Sequence, residues 1–349
     1  MQRRGCAGHD KEGKQMKSLY LGSVVEKAGK SMVALGMAKN FPGKVGYFRP
    51  FKETLISVHN RVVDQDANLM KKALGLEEDE DVLSPCTYDL FRGATLDRVM
   101  KCYQNANVGK DLMLIEGTRN IATGYTHSVS GFAIAEAAGA DVVLVSTSKP
   151  SALDRIGMLK RLMENYKVNL LGVILNMTDD PAIEAFLKGK GVNVLGSIPT
   201  IRQLKYFRVK EIAEALGAEV IVGDEDAMYK FVEEVTIGAM TSESAIKYMR
   251  RIPRKAVITG GDRSDIQMAA LSTDTSCLVL TGGLYPDKTV ISRAYEAEVP
   301  ILLARYDTMT TAELVEHLIA RIDPEDKAEV DLVAKTVKEH LDLEKIWRE

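Results

Sequence analysis

Gly29, Lys30 and Ser31 are the residues whose order most directly specifies chemistry. They close the segment Leu19-Tyr-Leu-Gly-Ser-Val-Val-Glu-Lys-Ala-Gly-Lys-Ser31, where an apolar strand runs into a loop and a helical stretch (MVALGMAKNF) follows at once. At such a junction the free backbone N–H groups and the helix dipole form an anion site. A lysine there reaches terminal phosphates, and the serine hydroxyl is a ligand for Mg2+. The spacing departs from the standard loop, which has four residues between its glycines. Here six residues separate Gly22 from Gly29, and Val24 stands where the first glycine would be. The competing interpretation is a plain strand–helix turn.

Carboxylates supply the second component. The run Asp111-Leu-Met-Leu-Ile-Glu-Gly117 is a buried strand ending in an acid. At the carboxyl end of a parallel strand, Glu116 would face the same crevice as the phosphate loop and hold Mg2+ directly or through water. A strand-end carboxylate facing solvent is the alternative. Asp64 and Asp66, in VVDQDANLM, offer either another oxygen ligand or a helix cap. Asn176 closes the strand GVIL and could bond a purine edge. Further along, Thr259-Gly-Gly-Asp-Arg-Ser-Asp265 and Thr281-Gly-Gly283 each follow a short strand and precede helical sequence. Glycines in such turns can form anion-binding concavities, although tight packing explains them equally well.

These groups need a scaffold, and the chain alternates short apolar runs with helical stretches. Candidate strands are Leu19–Gly22, Val45–Phe48, Leu112–Ile115, Val142–Val145, Leu170–Leu175 and Val194–Ile198, with a further one at Glu219–Val222. Strands alternating with helices, several of them continuously apolar, indicate an α/β fold with a parallel sheet covered by helices on both faces. A smaller second segment repeats the grammar, with strands at Ala256–Thr259, Leu278–Thr281 and Pro300–Ala304. Its helices fall at Ser242–Met249, Ile266–Leu271, Lys288–Glu296 and Thr311–Ile319. After Pro324, Val330, Val333, Val337 and Leu341 form one apolar stripe at helical spacing, suited to packing on the second domain or a partner chain.

Composition excludes several functions. The 349 residues suggest two domains at about 150 residues each. Lys+Arg 46 against Asp+Glu 49 leaves a net charge of −3, too little to favour nucleic acid or a membrane surface. No uninterrupted apolar span is long enough to cross a bilayer. Cys6, Cys86, Cys102 and Cys277 include no Cys-x-x-Cys, and His9, His59, His127, His317 and His340 make no HExxH pair. Reduced thiols in a cytoplasmic protein without a histidine metal site are therefore expected. Residues 1–15 are polar, lack the apolar core of a secretory signal, and read as a disordered tail or an upstream start-codon artefact.

The segment from Leu19 to Val222 resembles the dethiobiotin synthetase and cobyrinate amide synthase group of P-loop proteins. The resemblance is carried by GKS, the strand VGYFRP, the pair Glu116-Gly117, Asn176 in GVILN, and GSIP at 196–199. It implies that Lys30 and Ser31 meet phosphate and Mg2+, that Glu116 meets Mg2+, and that Asn176 contacts the base of ATP or GTP. Asp66 is the further candidate metal ligand. Lys30 and Arg49 are the candidate catalytic residues, although the family has Lys-Pro where this chain has Arg49-Pro50. Arginine keeps the charge but presents a planar fork in place of a point charge. The ligases also carry a small, glycine-rich segment after the acid, whereas Thr118-Arg119-Asn120 is bulkier and polar.

From about Thr241 to Ile322, the pattern VITGGDRSDIQMAAL…LVLTGG…DTMTT resembles a DRTGG domain. That resemblance makes Gly260, Gly261, Asp262 and Arg263 candidate ligand-binding residues. A P-loop domain followed by a DRTGG domain resembles the N-terminal region of long phosphotransacetylases, which is regulatory and contributes to oligomerisation. The expected division is a tail at 1–15, a P-loop domain at 16–230, a DRTGG domain at 231–322 and a helical tail at 323–349. The length leaves little beyond these, so autonomous acetyl transfer is not expected. The expected function is Mg2+-dependent binding of ATP or GTP in a regulatory protein. It would dimerise through the DRTGG domain and act with a separate phosphotransacetylase-type or other metabolic enzyme. The alternatives are an ATP-dependent ligase, with Arg49 and Arg119 holding an anionic substrate, and a structural subunit with a vestigial loop.

Overall fold

Runs of apolar residues without a solvent-facing polar break become the central strands. The computed structural model describes residues 16–58, 60–87, 94–316, 318 and 321–348. The tail at 1–15 lies outside the described residues, as do His59, His317 and Ile319. The chain divides into two compact units, Met1–Thr200 with Ile322–Glu349, and Ile201–Arg321.

In the first unit the elements are β1 (Lys17–Ser23), α1 (Lys30–Asn40), β2 (Val45–Phe48), α2 (Gln65–Leu74), α3 (Leu96–Ala106) and β3 (Leu112–Glu116). They continue with α4 (Gly131–Ala138), β4 (Asp141–Ser146), α5 (Pro150–Met163), β5 (Leu170–Asn176), α6 (Pro181–Gly189) and β6 (Val194–Ile198). The sheet is parallel throughout, in the order β6-β5-β4-β1-β3-β2. Because side chains alternate along a strand, Tyr20, Met113, Ile115, Val142 and Leu144 share one face. There they pack with Val99 of α3, Phe132 of α4 and Ile156 of α5. Leu19, Leu21, Leu114 and Val143 point the other way, toward the side covered by α1, and are equally buried. Burial on both faces is why these strands read as continuous apolar runs.

The second unit holds β7 (Glu219–Val222), β8 (Glu234–Ile237), β9 (Lys255–Gly260), α7 (Ser264–Leu271), β10 (Thr275–Thr281), α8 (Lys288–Glu296), β11 (Ile301–Leu303) and α9 (Thr308–Glu316). Its sheet order is β7-β11-β10-β9-β8, parallel except for β7, which runs antiparallel to β11. Two expectations change here. The strand at Glu219–Val222, read as an addition to the first sheet, is an edge strand of the second. The boundary expected after residue 230 falls after Thr200.

The tail also differs from expectation. It contains α10 (Lys327–His340), which belongs to the first unit and packs on α1 there. The contact is close: a Cβ on Gly36 would lie 2.3 Å from Val337 Cγ2. Asn40 Nδ2 ties the two helices by donating to the carbonyls of Gly36 (2.7 Å) and Ala334 (2.8 Å). Trp347 then meets Phe41 edge-on at 5.2 Å. A one-sided apolar stripe calls for a partner surface, and α1 supplies it.

Candidate functional site

Strand ends of the first unit bring polar residues to the carboxyl edge of the parallel sheet. β1 ends in Ser23, β3 ends in Glu116, and Arg49 follows β2. Val24 comes directly after β1: it is buried, and its N–H donates to the Val145 carbonyl at 3.0 Å. Its φ is not positive, so the position does not call for glycine where the standard spacing has one. The chain turns at Glu26–Lys27, where Lys27 has φ +57°, and Gly29 sits at φ +82° immediately before α1. That left-handed conformation favours glycine. A Cβ on Gly29 would in addition meet Asn176 Nδ2 at 2.2 Å.

Lys30 opens α1 and is only 7% exposed. Its ammonium donates to Ser23 Oγ at 3.0 Å and to the Arg119 carbonyl at 2.8 Å. Burial pushes its pKa below the ordinary lysine value, opposed by the nearby Glu116 charge. The segment after β3 creates this contact by folding back onto β1: the Gly117 N–H donates to Leu21 and the Ile121 N–H to Ser23.

Glu116 is held by three donors. Ser31 Oγ (2.8 Å) and Arg49 Nη1 (2.6 Å) donate to Oε1, and Tyr47 OH (2.9 Å) donates to Oε2. Burial pushes this carboxyl up from the usual range, with the Arg49 charge opposing. Arg49 is itself 3% exposed and meets further acids: Nη1 lies 2.8 Å from Asp66 Oδ2, Nη2 lies 2.5 Å from Glu53 Oε2, and Nε lies 3.6 Å from Asp64 Oδ1. Burial works against the guanidinium charge, but Asp66 and Glu116 more than offset it and hold the pKa well above the arginine value. The hairpin Leu55–Val58 and Arg61–Asp64 leads into α2 and delivers the two aspartates. Asp64 caps α2, accepting from the Asp66 and Ala67 N–H groups, as the helix-cap alternative anticipated.

The expected metal ligands Ser31, Asp66 and Glu116 therefore come together, but they come together around Arg49. The guanidinium takes the carboxylate oxygens on which a cation would depend, and the Ser31 hydroxyl proton points at Glu116. With Arg49 in this position the donor set does not fit Mg2+. Among the described residues, no three His, Cys, Asp or Glu side chains are grouped so as to hold a metal. Asn176 lies at the same edge, at the end of β5. Its amide lies against the loop, Nδ2 donating to the Ala28 carbonyl at 2.9 Å, while its buried Oδ1 has no hydrogen-bond partner.

At the corresponding edge of the second unit, the glycines serve packing. A Cβ on Gly261 would lie 1.9 Å from the Leu284 carbonyl oxygen. The N–H groups of Gly261 and Arg263 donate to the carbonyls of Thr281 and Gly260, and buried Gln267 Nε2 donates to the carbonyls of Gly260 and Gly261. Arg263 turns to Asp265 (Nε to Oδ1 2.9 Å) and donates to the Met240 carbonyl. Sequence reading missed Ser23, Tyr47 and Glu53. Tyr47 was accessible, since residues two apart on a strand share a face and Arg49 follows at that spacing.

A parallel α/β sheet with a Gly-Lys-Ser turn between its first strand and first helix defines a P-loop-type domain. Residues 17–207 match a family model described as an AAA domain (AAA_26), and the chain belongs to that family. Residues 211–318 match the DRTGG domain. The chain resembles the N-terminal region of phosphate acetyltransferases, in which those two domains adjoin. It is 25% identical over 362 residues to the Pseudomonas putida phosphate acetyltransferase, covering 94% of this chain and 51% of that protein. The Nitratidesulfovibrio vulgaris enzyme is likewise 25% identical, over 93% of this chain and 50% of its own length. The chain thus spans about half the length of these curated relatives. Among solved structures, a ParA family ATPase from Chlorobium tepidum is similar at TM-score 0.39 and 17% identity, over 55% of this chain and 87% of that one.

Proposed function

We propose that this chain is a nucleotide-binding regulatory protein that takes ATP or GTP at the first sheet's carboxyl edge and acts with a separate phosphotransacetylase-type enzyme. The observation that carries this is the junction at Gly29-Lys30-Ser31. It places a left-handed glycine, a lysine and a serine at the start of an eleven-residue helix at the end of the central strand. The helix N-terminus and Lys30 together favour a polyphosphate. On binding, Lys30 exchanges its hydrogen bonds to Ser23 and Arg119 for phosphate oxygens, and Asn176, packed on the loop, holds Gly29 in register. Support for the regulatory role comes from the DRTGG domain on the same chain, and the second unit is the proposed dimer contact. The ligase reading is disfavoured because Arg49 is engaged by carboxylates and not available to an anionic substrate.

A structural subunit with a vestigial loop is the second reading, favoured by the two protein acceptors that Lys30 already has. Isothermal titration of the full chain with ATP and GTP separates the two. Saturable binding that weakens at least about tenfold in Lys30→Ala is expected. No binding of either nucleotide by the unmutated protein would select the structural reading.

A further inference from the structure

We infer that Arg49 takes the place of a protein-held divalent cation: its guanidinium is the resident counter-charge of Glu116 and Asp66 and excludes a metal ion from that position. The inference deepens the nucleotide-site reading and rests on it for what the cation would be there to do. Three observations carry it. The same Nη1 reaches both carboxylates, at 2.6 Å from Glu116 and 2.8 Å from Asp66. These two acids, with Ser31, are the oxygen donors that the phosphate loop would otherwise offer a metal. Glu116 also already accepts three hydrogen bonds, from Ser31, Arg49 and Tyr47.

Arginine suits the position where lysine would not. A planar fork spans several carboxylates at fixed angles, whereas an ammonium is a single point charge on a flexible stem. Here the fork is clamped from its other side by Glu53. Glu53 Oε2 in turn accepts from the Arg119 N–H at 3.2 Å, and the Arg119 carbonyl receives Lys30. Arg49 is thereby connected through Glu53 and Arg119 to the lysine of the phosphate loop. A divalent ion could enter between Glu116 and Asp66 only by displacing a guanidinium held on three sides. Magnesium would then reach the site with the nucleotide's own phosphates and not on protein ligands.

The test uses Mn2+ alone with the full chain. Mn2+ affinity and the thermal-unfolding shift it causes are compared for the unmutated protein, Arg49→Met and Arg49→Lys. Mn2+ should bind Arg49→Met at least about tenfold more tightly than the unmutated protein and raise its unfolding temperature, because a ligand that binds only the native state stabilises it. Adding Glu116→Gln to Arg49→Met should abolish the gain. If Arg49→Met does not fold, Arg49→Lys decides, since it keeps a charge but releases part of the carboxylate set, and tighter Mn2+ binding is again expected. Equal Mn2+ affinity in the unmutated protein and the folded variant overturns the inference, as does a gain that survives Glu116→Gln. Failure of ATP and GTP to bind any of these proteins would refute the nucleotide reading and leave the metal result standing.

Discussion

The two sheets finish their carboxyl edges in different materials. At the first, charge is buried: Arg49 and Glu116 are 3% and 1% exposed. At the second, the comparable ion pair is at the surface, with Arg263 39% and Asp265 48% exposed. There the close approach is made by glycine backbone and neutral groups, such as Gln267 on two carbonyls and Thr281 against Thr308 at 2.8 Å. Removing one member of a buried set leaves its partners charged and unsolvated, whereas an exposed pair is screened by water. The first edge is therefore specified by side chains and the second by backbone shape.

The largest break in that contrast is expected at Arg49. Arg49→Met strands Glu116, Asp66 and Glu53 and should cost about 3–5 kcal/mol of stability in urea unfolding of the full chain. A loss below about 1 kcal/mol would place the first edge in the same class as the second. Next comes Gly261→Ala, whose methyl group meets the Leu284 carbonyl, for about 1–3 kcal/mol. Gly283→Ala is the control: its φ is +64° but nothing lies within 4 Å, so only backbone strain of about 1 kcal/mol is expected. If the two alanine variants unfold alike, steric closeness is not what the second edge depends on.

A smaller effect concerns Cys277, inside β10, whose thiol burial pushes up to about 12. The unfolded thiol ionises from near the ordinary cysteine value of 9.0 while the native one stays protonated. This contribution is therefore complete below pH 9 and is lost as pH rises toward 12. Alkylation followed by peptide mapping should find Cys277 unlabelled in the native protein at pH 9 and labelled in urea. The smallest effect is Arg263→Ala, which should leave the unfolding midpoint unchanged.

Much of the scaffold was legible because burial on both faces writes itself as unbroken apolar sequence. Val45–Phe48 and Val194–Ile198 have the expected limits; most other central strands extend theirs by one to three residues at an end, and β11 is one residue shorter at each end than Pro300–Ala304. Misreadings fell where that signal is weak. β7 is a half-exposed edge strand, and nothing in Glu219–Val222 names its sheet. β8 shows two exposed residues out of four and was not recognised. The stripe on α10 was visible, but its partner was not, although Gly36 in the middle of α1 marks a close approach. At the site, Lys30 and Ser31 stood out at the start of a helix and Glu116 at the end of a strand. The role of Arg49 depends on Glu53 and on Asp64 and Asp66, and the two aspartates arrive by way of a hairpin whose path the sequence does not disclose.

The most direct test of the nucleotide site is isothermal titration of the full chain with ATP, first in EDTA and then with Mg2+, alongside Lys30→Ala. Saturable binding by the unmutated protein in both conditions, differing by no more than about threefold, with loss in Lys30→Ala, is the predicted result. No binding in either condition, or binding indifferent to Lys30→Ala, would contradict it.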